Sequence, residues 1–346
     1  REELIRFHSI FRSKGSAVIL MNVNNGEIIS MVSYPDFDLN KRETVSDVIF
    51  INRATKGVYE LGSVFKTFTV AAGLDEGLIE TETEFFNLEK KLKCGKNIIS
   101  EYDKKIPPNL TVEQILIRSG NIGSVRIGQK LGIDKLKLFL DKIGVLNKID
   151  FDIEEVGEPI SFKWGKCKLA TVSFGHGITT TPLQLAKGYA IIANGGFEIK
   201  PSLIKKSTGN NQDRKRVIKE GVSKKINKIL RKIVTTKEGT AGLANIKGYE
   251  IGGKTGTAEK AVIGGYTRKA KVNTFASIFP TSKPKYVMIV LLDEPKTSEE
   301  YIYKYKNKSG SYKGTPFNTA GWTSVEVAGK IIQKIGPILA TKYIEN

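Results

Sequence analysis

The order of the predicted elements along this 346-residue chain indicates an α+β fold. Two strands open the sequence, helical segments fill its middle, and three strands followed by a helix close it. Because the strands lie at the two ends of the chain, we expect one antiparallel sheet that joins those ends and packs against the helices. The length and a hydrophobic content of 40% are sufficient for a large buried core.

The first two strands are predicted from a hairpin pattern near the start of the chain. Apolar runs cover residues 17–23 and 27–34, and Asn25 and Gly26 lie between them. Asn-Gly between two apolar runs is typical of a tight β-hairpin turn, and Pro35 ends the second strand.

Helices are predicted through the middle of the chain, several of them from capping residues or from glycine at their ends. Six helices are predicted: one that begins at Ser63, one that begins after a cap at Thr111, and four at residues 121–131, 134–142, 182–194 and 222–237. The helix from Ser63 is apolar on more than one face, which indicates burial. Residues 80–108 are a polar, Lys-rich stretch with no predicted element.

The last part of the chain is predicted to return to the sheet. Short apolar runs with turn residues between them indicate strands at about 249–258, 272–279 and 286–292. A final helix is predicted at about 322–335.

The charge balance is strongly basic, with 55 Lys and Arg against 36 Asp and Glu, or +19. Such a balance can indicate an anionic partner such as nucleic acid, phospholipid or an anionic wall polymer. The lysines are spread along the whole chain, and no recognisable nucleic-acid module accompanies them. We therefore interpret the charge as a solvated surface and expect no nucleic-acid partner, with a basic nucleic-acid-binding protein as the remote alternative.

Cysteine and histidine are too few for a metal site of the usual kind. Cys94 and Cys167 lack a second Cys or His at metal-ligand spacing, and His8 and His176 are the only histidines. The two cysteines could pair in an oxidising compartment, but we predict two ordinary buried thiols. We expect no metal and no cofactor.

Ser63 and Lys66 form a Ser-x-x-Lys pattern at the predicted start of a helix, where one turn places both side chains on the same face. A serine hydroxyl is a poor nucleophile without a base, and a lysine amine can serve as that base where burial removes its proton. Ser282 begins a second Ser-x-x-Lys, but Pro284 opposes a helix there. That second pair is not expected to act.

Ser119 and Asn121 flank Gly120 in a predicted loop between two helices. A serine in a cleft can relay a proton, and an asparagine can bind a substrate amide. The alternative interpretation is a helix cap, because Ser and Asn are preferred at that position.

Residues Lys254, Thr255, Gly256 and Thr257 lie on a predicted strand. Glycine there lets the backbone approach a ligand closely, the lysine and the first threonine could hold a carboxylate, and the Thr257 N–H could stabilise an oxyanion. A similar triplet begins at Lys308, but it has no apolar strand around it and is interpreted as loop.

The three patterns occur in the order of the signature of penicillin-binding proteins and class A β-lactamases. With the additional stretches named below, the chain resembles the transpeptidase domain of class B penicillin-binding proteins from about residue 15 to the end. It is most similar to the division-specific, FtsI-type peptidoglycan transpeptidases. The additional stretches are 52–55, 59–62, 174–177, 181–185, 256–260, 291–295 and 319–322.

The resemblance implies a penicillin-binding protein and β-lactamase-like fold, in which helices and an all-helical lobe flank a five-stranded antiparallel sheet. It implies a D,D-transpeptidase that cross-links stem peptides of the cell wall through a serine acyl-enzyme and is trapped by β-lactam antibiotics. The implied catalytic residues are Ser63, Lys66, Ser119, Asn121 and Lys254, and the implied substrate-binding residues are Thr255, Gly256 and Thr257. Gly120 departs from the family pattern, because relatives often carry Ser or Asp there.

The same resemblance implies the domain organisation. Residues 1–346 would form one transpeptidase domain, with the sheet at about 15–35 and 247–295, the helical lobe at about 63–240 and the C-terminal helix at about 320–338. The family's N-terminal membrane anchor and pedestal are expected to lie outside residues 1–346. An inner-membrane protein with a periplasmic catalytic domain is expected, with a septal glycan polymerase and other divisome proteins as partners.

Two rival functions share the fold. A class A β-lactamase needs a carboxylate that activates the deacylating water, and Asp152, Glu154, Glu155 and Glu158 lie between the second and third patterns. Their surroundings do not resemble the corresponding loop of those enzymes. A β-lactam sensor domain, which acylates and signals, is the second rival.

Overall fold

The computed structural model describes residues 1–38, 40–41, 47–95, 97–205, 214–262, 265–305 and 310–342. The helices are α1 (Glu2–Ile10), α2 (Asp47–Phe50), α3 (Lys66–Asp75), α4 (Val112–Ile117), α5 (Asn121–Leu131), α6 (Ile133–Lys142), α7 (Lys166–Val172), α8 (Pro182–Ala193), α9 (Glu220–Thr235) and α10 (Ser324–Lys342). The strands are β1 (Gly15–Asn22), β2 (Ile28–Tyr34), β3 (Glu84–Phe85), β4 (Lys91–Cys94), β5 (Asn97–Ser100), β6 (Leu110–Thr111), β7 (Gly252–Val262), β8 (Gly265–Phe279), β9 (Tyr286–Asp293), β10 (Ile302–Tyr305) and β11 (Gly310–Lys313).

A five-stranded antiparallel sheet joins the two ends of the chain, as the element order predicts. Its strand order is β2-β1-β9-β8-β7. Strand β1 pairs with β9 over its whole length, so Gly15 lies opposite Asp293 and Asn22 opposite Tyr286. The predicted hairpin is confirmed, because β1 also pairs with β2.

Helices cover both faces of this sheet. Every residue of β1 and of β9 is buried, and side chains alternate between faces along a strand, so both faces must be covered. Helix α8 packs on β1, β8 and β9, while α1 packs on β1 and α10 packs on β8 and β9. Because α1 and α10 also contact each other, they form the layer on the face opposite to α8.

Helix α3 lies at the centre of the remaining helices. It packs against α4, α5, α6 and α9, and its residues from Lys66 to Leu74 are all buried. The prediction of a helix buried on more than one face is confirmed. Its start differs slightly, because Ser63 lies in a 3-10 turn (Gly62–Phe65) that leads into α3.

Capping chemistry places two other helices where the sequence predicts them. Thr111 begins α4 with a capping box, in which its Oγ1 accepts from the Gln114 N–H at 3.2 Å. Thr181 and Gln184 form the same box at the start of α8. These bonds satisfy N–H groups that a helix start leaves open, so local sequence is enough to locate such a start.

Other elements differ from the prediction. Strand β8 begins at Gly265 rather than near residue 272, because a polar, largely exposed extension pairs with β7 outside the core. Helix α7 and the small hairpin of β4 and β5 lie in stretches with no predicted element. Short ribbons and helices with few apolar residues give no clear periodicity.

The segment interpreted as loop near Lys308 contains a hairpin, formed by β10 and β11. Lys308 and Ser309 themselves lie outside the described residues, and Gly310 opens β11. Tyr303 anchors the hairpin, because its ring is fully buried and its hydroxyl donates to the Trp322 carbonyl at 2.7 Å. Residues 302, 304 and 310–313 of the ribbon are exposed, so Tyr303 alone gives no periodic pattern in the sequence.

The prediction of two free thiols is wrong, because Cys94 and Cys167 form a disulfide. Strand β4 carries the first cysteine and α7 the second, and their Cα atoms are 5.4 Å apart. The two residues are separated by 73 positions, and only the packing of the hairpin beside α7 brings them together. No helix among the described residues is both long and apolar enough to cross a membrane.

Candidate active site

Ser63 lies at the junction between a tight turn and a buried helix. Gly62 has φ +64°, a left-handed conformation that favours glycine, and it turns the chain into the 3-10 turn. Val64 and Phe65, which follow Ser63 in this turn, are buried, whereas Ser63 is half-buried. The fold thus exposes one hydroxyl at the start of an otherwise inaccessible helix.

Lys66, one turn after Ser63, is buried, with 1% of its surface exposed. Its Nζ donates to the Ser119 carbonyl oxygen at 2.5 Å, to the Asn121 Oδ1 at 2.6 Å and to the Ser119 Oγ at 3.2 Å. The structure therefore brings the first predicted pattern into direct contact with the second.

Ser119 and Asn121 are held in the turn between α4 and α5. Ser119 has φ +59°, which is uncommon for a residue with a side chain and is typical of functional turns. The helix-cap interpretation is wrong, because Gly120 occupies the N-cap position and makes no side-chain cap bond. Both side chains point to Lys66 instead.

Lys254, near the start of β7, approaches the same hydroxyl from the sheet. It is fully buried, and its Nζ donates to the Ser119 Oγ at 2.7 Å and to the Thr255 carbonyl oxygen at 3.1 Å. The Ser119 Oγ thus lies between two buried lysines, one from α3 and one from β7.

Burial controls the charge of this lysine pair. Desolvation lowers the pKa of Lys66 to about 7, against an opposing effect of the Glu101 carboxylate. The pKa of Lys254 lies well below its ordinary value because of burial and because of the positive charge on Lys66. Two ammonium groups so close in a dry site disfavour each other, so the pair holds less than two full charges at neutral pH.

Glycines let the Ser63 turn and β7 approach each other closely. A Cβ on Gly62 would lie 3.2 Å from the Thr257 backbone nitrogen, and a Cβ on Gly256 would overlap the Leu61 carbonyl oxygen. The backbone at Ser63 therefore lies beside the Thr257 backbone, the arrangement needed for two N–H groups to share one oxygen.

The threonines of β7 have partners from other parts of the chain. The Thr255 Oγ1 is 2.7 Å from the Thr240 Oγ1, and the Thr257 Oγ1 accepts from the Ala320 N–H at 3.0 Å. Thr240 lies in the loop after α9 and was not predicted to belong to the site.

Glu60, His176 and Tyr266 form a separate cluster beside the Ser63 turn. The Glu60 carboxylate accepts from the Gly177 N–H at 3.0 Å and from the Tyr266 hydroxyl at 2.7 Å, and burial raises the pKa of that tyrosine. The His176 Nδ1 lies 3.6 Å from the Glu60 carboxylate, and its ring packs at 4.3 Å from the Tyr266 ring. This packing supports a structural place for His176.

Two residues that bind the backbone and side chain of Asn121 were not predicted from the sequence. The Ser100 carbonyl oxygen accepts from the Asn121 Nδ2 at 2.8 Å, and the Glu101 carboxylate accepts from the Asn121 N–H at 2.6 Å. Both residues lie in the polar stretch at 80–108, where nothing in the local pattern distinguishes them from surface residues.

The sequence matches the family described as the penicillin binding protein transpeptidase domain over residues 16–317. It is 34% identical to the "Probable peptidoglycan D,D-transpeptidase FtsI" of Caulobacter vibrioides over 350 residues, which is 99% of this chain and 57% of the relative. It is 30% identical to the "Probable peptidoglycan D,D-transpeptidase PenA" of Neisseria flavescens over 304 residues, 87% of this chain and 74% of the relative. The chain therefore spans only about 57% of the first of these relatives.

The fold has a counterpart among solved structures. The transpeptidase domain of penicillin-binding protein 3 from Burkholderia pseudomallei superposes with a TM-score of 0.81 at 24% identity, covering 97% of this chain and 92% of that one. This likeness confirms the predicted fold class. With the family match over most of its length, this chain belongs to the penicillin-binding protein transpeptidase domain family.

Proposed function

We propose that this chain is the catalytic domain of a peptidoglycan D,D-transpeptidase, with residues 1–346 as one transpeptidase domain. The observation that carries the proposal is the position of the Ser119 Oγ, which lies 3.2 Å from the Lys66 Nζ and 2.7 Å from the Lys254 Nζ. Lys66 itself lies one helical turn after Ser63. The names of the relatives, which are peptidoglycan D,D-transpeptidases, support the same activity.

In the proposed acylation, Ser63 is the nucleophile and Lys66 is the general base. The Ser63 Oγ attacks the carbonyl carbon of the penultimate D-Ala of a stem peptide while its proton passes to the Lys66 amine. A pKa near 7 leaves a large neutral fraction of Lys66 at physiological pH, which a base requires. Among the described residues no hydrogen bond joins the two side chains, and such bonds often tighten only when substrate binds.

The other residues of the site would stabilise and position the reacting groups. The N–H groups of Ser63 and Thr257 would bind the oxyanion of the tetrahedral intermediate. Ser119 would pass a proton to the nitrogen of the leaving D-Ala as the peptide C–N bond breaks and would take back from Lys66 the proton that came from Ser63. Asn121 would hold a substrate amide.

Strand β7 would bind the terminal carboxylate of the donor peptide. Lys254 and Thr255 would supply an amino group and a hydroxyl there, and Gly256 lets this part of the strand lie close to the Ser63 turn. Thr240 joins this group through its 2.7 Å contact with Thr255.

The second half-reaction transfers the acyl group. An amine of a neighbouring stem peptide attacks the Ser63 ester, a new amide forms as the ester C–O bond breaks, and the amine proton passes through Lys66 to the Ser63 oxygen. A β-lactam would follow the first half-reaction only. Its ring C–N bond opens, but the leaving nitrogen stays tethered, so the adduct persists on Ser63.

The cellular role that we propose follows the FtsI-type relatives. The chain would act in septal wall synthesis, with a glycan polymerase and divisome proteins as partners, in an inner-membrane protein whose catalytic domain faces the periplasm. The disulfide between Cys94 and Cys167 supports an oxidising compartment, because such bonds rarely persist in the cytosol.

Two of the four carboxylates considered for a class A β-lactamase bind other parts of the chain. The Asp152 carboxylate accepts from the Ser202 hydroxyl and the Leu203 N–H at 2.8 and 2.6 Å, and the Glu155 carboxylate accepts from the Asn52 N–H at 2.8 Å. These contacts favour a slowly hydrolysed adduct over rapid turnover.

Labelling with a fluorescent penicillin tests the proposal. Wild type should form one stoichiometric covalent adduct, Ser63→Ala should form none, and Ser282→Ala should label like wild type. Label on Ser63→Ala would show that the nucleophile is wrong. Fast multiple turnover of a chromogenic cephalosporin by wild type would show that the protein is a β-lactamase and not a transpeptidase.

A further inference from the structure

Helix α5 lacks a capping side chain of its own. Gly120 occupies the N-cap position and makes no side-chain cap bond. Ser, Thr, Asp and Asn are favoured at this position because their side-chain oxygen accepts from the open N–H groups of the first turn. The N–H groups of this 11-residue helix therefore need an acceptor from another part of the chain.

Glu101, which follows strand β5, is that acceptor. Its Oε2 accepts from the Asn121 N–H at 2.6 Å and its Oε1 accepts from the Ile122 N–H at 2.8 Å. Its negative charge also faces the positive end of the helix dipole. With the Ser100 carbonyl oxygen on the Asn121 Nδ2, two consecutive residues hold both the backbone and the side chain of Asn121.

Glu101 also acts on Lys66. Asn121, which Glu101 holds, accepts from the Lys66 Nζ at 2.6 Å. The Glu101 carboxylate raises the pKa of Lys66 and so opposes the larger lowering caused by burial. From β7 the charged group that faces Lys66 is Lys254, whose ammonium would have the opposite effect.

The support for Glu101 is itself fixed. Strands β4 and β5 pair over four residues each, and the disulfide from Cys94 to Cys167 ties this hairpin to α7, which packs on α5. A side chain that must hold a site within a few tenths of an ångström needs such a braced element behind it.

We propose that Glu101 is a positioning residue of the transpeptidase site, which caps α5 from outside the helix, fixes Asn121 against Lys66 and supplies the carboxylate that balances the lysine charge. This inference rests on the proposed function, because the reaction that it positions is the acylation of Ser63. Glu101 acts through Asn121 and Lys66 and does not need to touch substrate.

The test measures the acylation rate by fluorescent penicillin across pH for wild type, Glu101→Gln and Glu89→Gln. Glu89 is the matched control, because it comes from the same segment and pairs with Arg126 of the same helix at an exposed position. In Glu101→Gln the maximal rate should fall about 10- to 100-fold, since small misplacements of a reacting group have effects of that order. The acidic limb of the profile should also move to lower pH, because the neutral form of Lys66 gains population. Glu89→Gln should change neither.

Two further variants separate the cap from the charge. Glu101→Gln combined with Gly120→Ser supplies an N-cap side chain in place, and Gly120 can accept it, because a Cβ there would meet its neighbours only at 3.7 Å or more. This double variant should recover the melting temperature lost in Glu101→Gln, while its acidic limb stays low. Glu101→Asp keeps the negative charge. The acidic limb of its pH profile should therefore stay near that of wild type, even if its maximal acylation rate falls.

An unchanged rate and limb in Glu101→Gln would overturn the proposal. A fall in rate with an unmoved limb would overturn the charge part, and equal melting temperatures for Glu101→Gln and Glu89→Gln would overturn the cap. The melting temperatures do not depend on catalysis. If wild type failed to acylate at Ser63, the proposed function would fall, and the cap would still be judged by those temperatures.

Discussion

Two regions of this protein carry the same Ser-x-x-Lys pattern, and the fold treats them in opposite ways. Ser63 and Lys66 lie at the start of a buried helix, and the lysine is 1% exposed. Ser282 lies in a bend between β8 and β9 and is exposed. As predicted from Pro284, no helix forms in the second region, so one turn does not separate its serine from its lysine.

The partners of the two regions differ as much as their backbones. Lys66 meets Ser119 and Asn121, and through Ser119 it is linked to Lys254 from the sheet. Ser282 donates instead to the Glu250 carboxylate on the surface. A four-residue pattern therefore does not specify a nucleophile. Its chemistry comes from burial of the lysine and from polar groups that converge from distant parts of the chain.

The largest difference between the two regions should appear when their lysines are removed. We expect Lys66→Ala to slow acylation by fluorescent penicillin by about 10²- to 10⁴-fold, the usual contribution of a general base. Lys285→Ala should react like wild type. A Lys66→Ala variant that labels at the wild-type rate would show that the buried lysine is not the base.

The disulfide braces the hairpin beside the Ser63 site, and no such bond braces the Ser282 bend among the described residues. Its removal tests that brace. Replacing Cys94 and Cys167 with serine should lower the free energy of unfolding by about 2–4 kcal/mol, because a closure across 73 residues constrains the unfolded chain. Acylation of Ser63 should slow as well, since the hairpin carries Ser100 and Glu101. Urea unfolding and labelling measure the two effects. Reductant should destabilise wild type and leave the double variant unchanged, and equal sensitivity would contradict this explanation.

The close approach of β7 to the Ser63 turn can be tested with one methyl group. In Gly256→Ala the new Cβ would overlap the Leu61 carbonyl oxygen, a backbone atom that cannot move aside freely. We expect a loss of about 1–3 kcal/mol in unfolding free energy and slower acylation. Gly221→Ala, in open space at the start of α9, is the control and should gain about 0.5–1 kcal/mol. If the two variants were equally stable, the approach would be looser than described.

The pH profile of acylation should report the burial of Lys66. The pKa of about 7 predicts a rate that falls about tenfold for each pH unit below that value and levels off above it, because only the neutral amine accepts the Ser63 proton. Stopped-flow labelling between pH 5 and 9 would measure this, in roughly the range where ordinary, well-solvated lysines stay protonated. A pH profile whose acidic limb gives a pKa near that of an ordinary lysine would mean that water reaches Lys66.

Some features could be predicted because their chemistry is local. The capping boxes at Thr111 and Thr181 and the Asn25-Gly26 turn depend on residues within a few positions of each other, and the structure has them where the sequence places them. The three site patterns could also be found, because each is a short string with residue types that suit its chemistry. Their convergence was an expectation until the contacts of Lys66 and Lys254 were known.

Other features could not be predicted, because they join residues that are distant in sequence and have no periodic pattern. Glu101 resembles the surface acids around it, Thr240 lies in a loop, and the partner of Cys94 is 73 residues away.

The sequence by itself determined the α+β class, the main helices and strands and the candidate residues, since these depend on local propensity and burial period. Only the tertiary structure decided which groups contact Lys66, what lowers the pKa of that lysine and what holds Asn121 in place. Burial and convergent hydrogen bonds are properties of packed elements, and a single segment does not contain them.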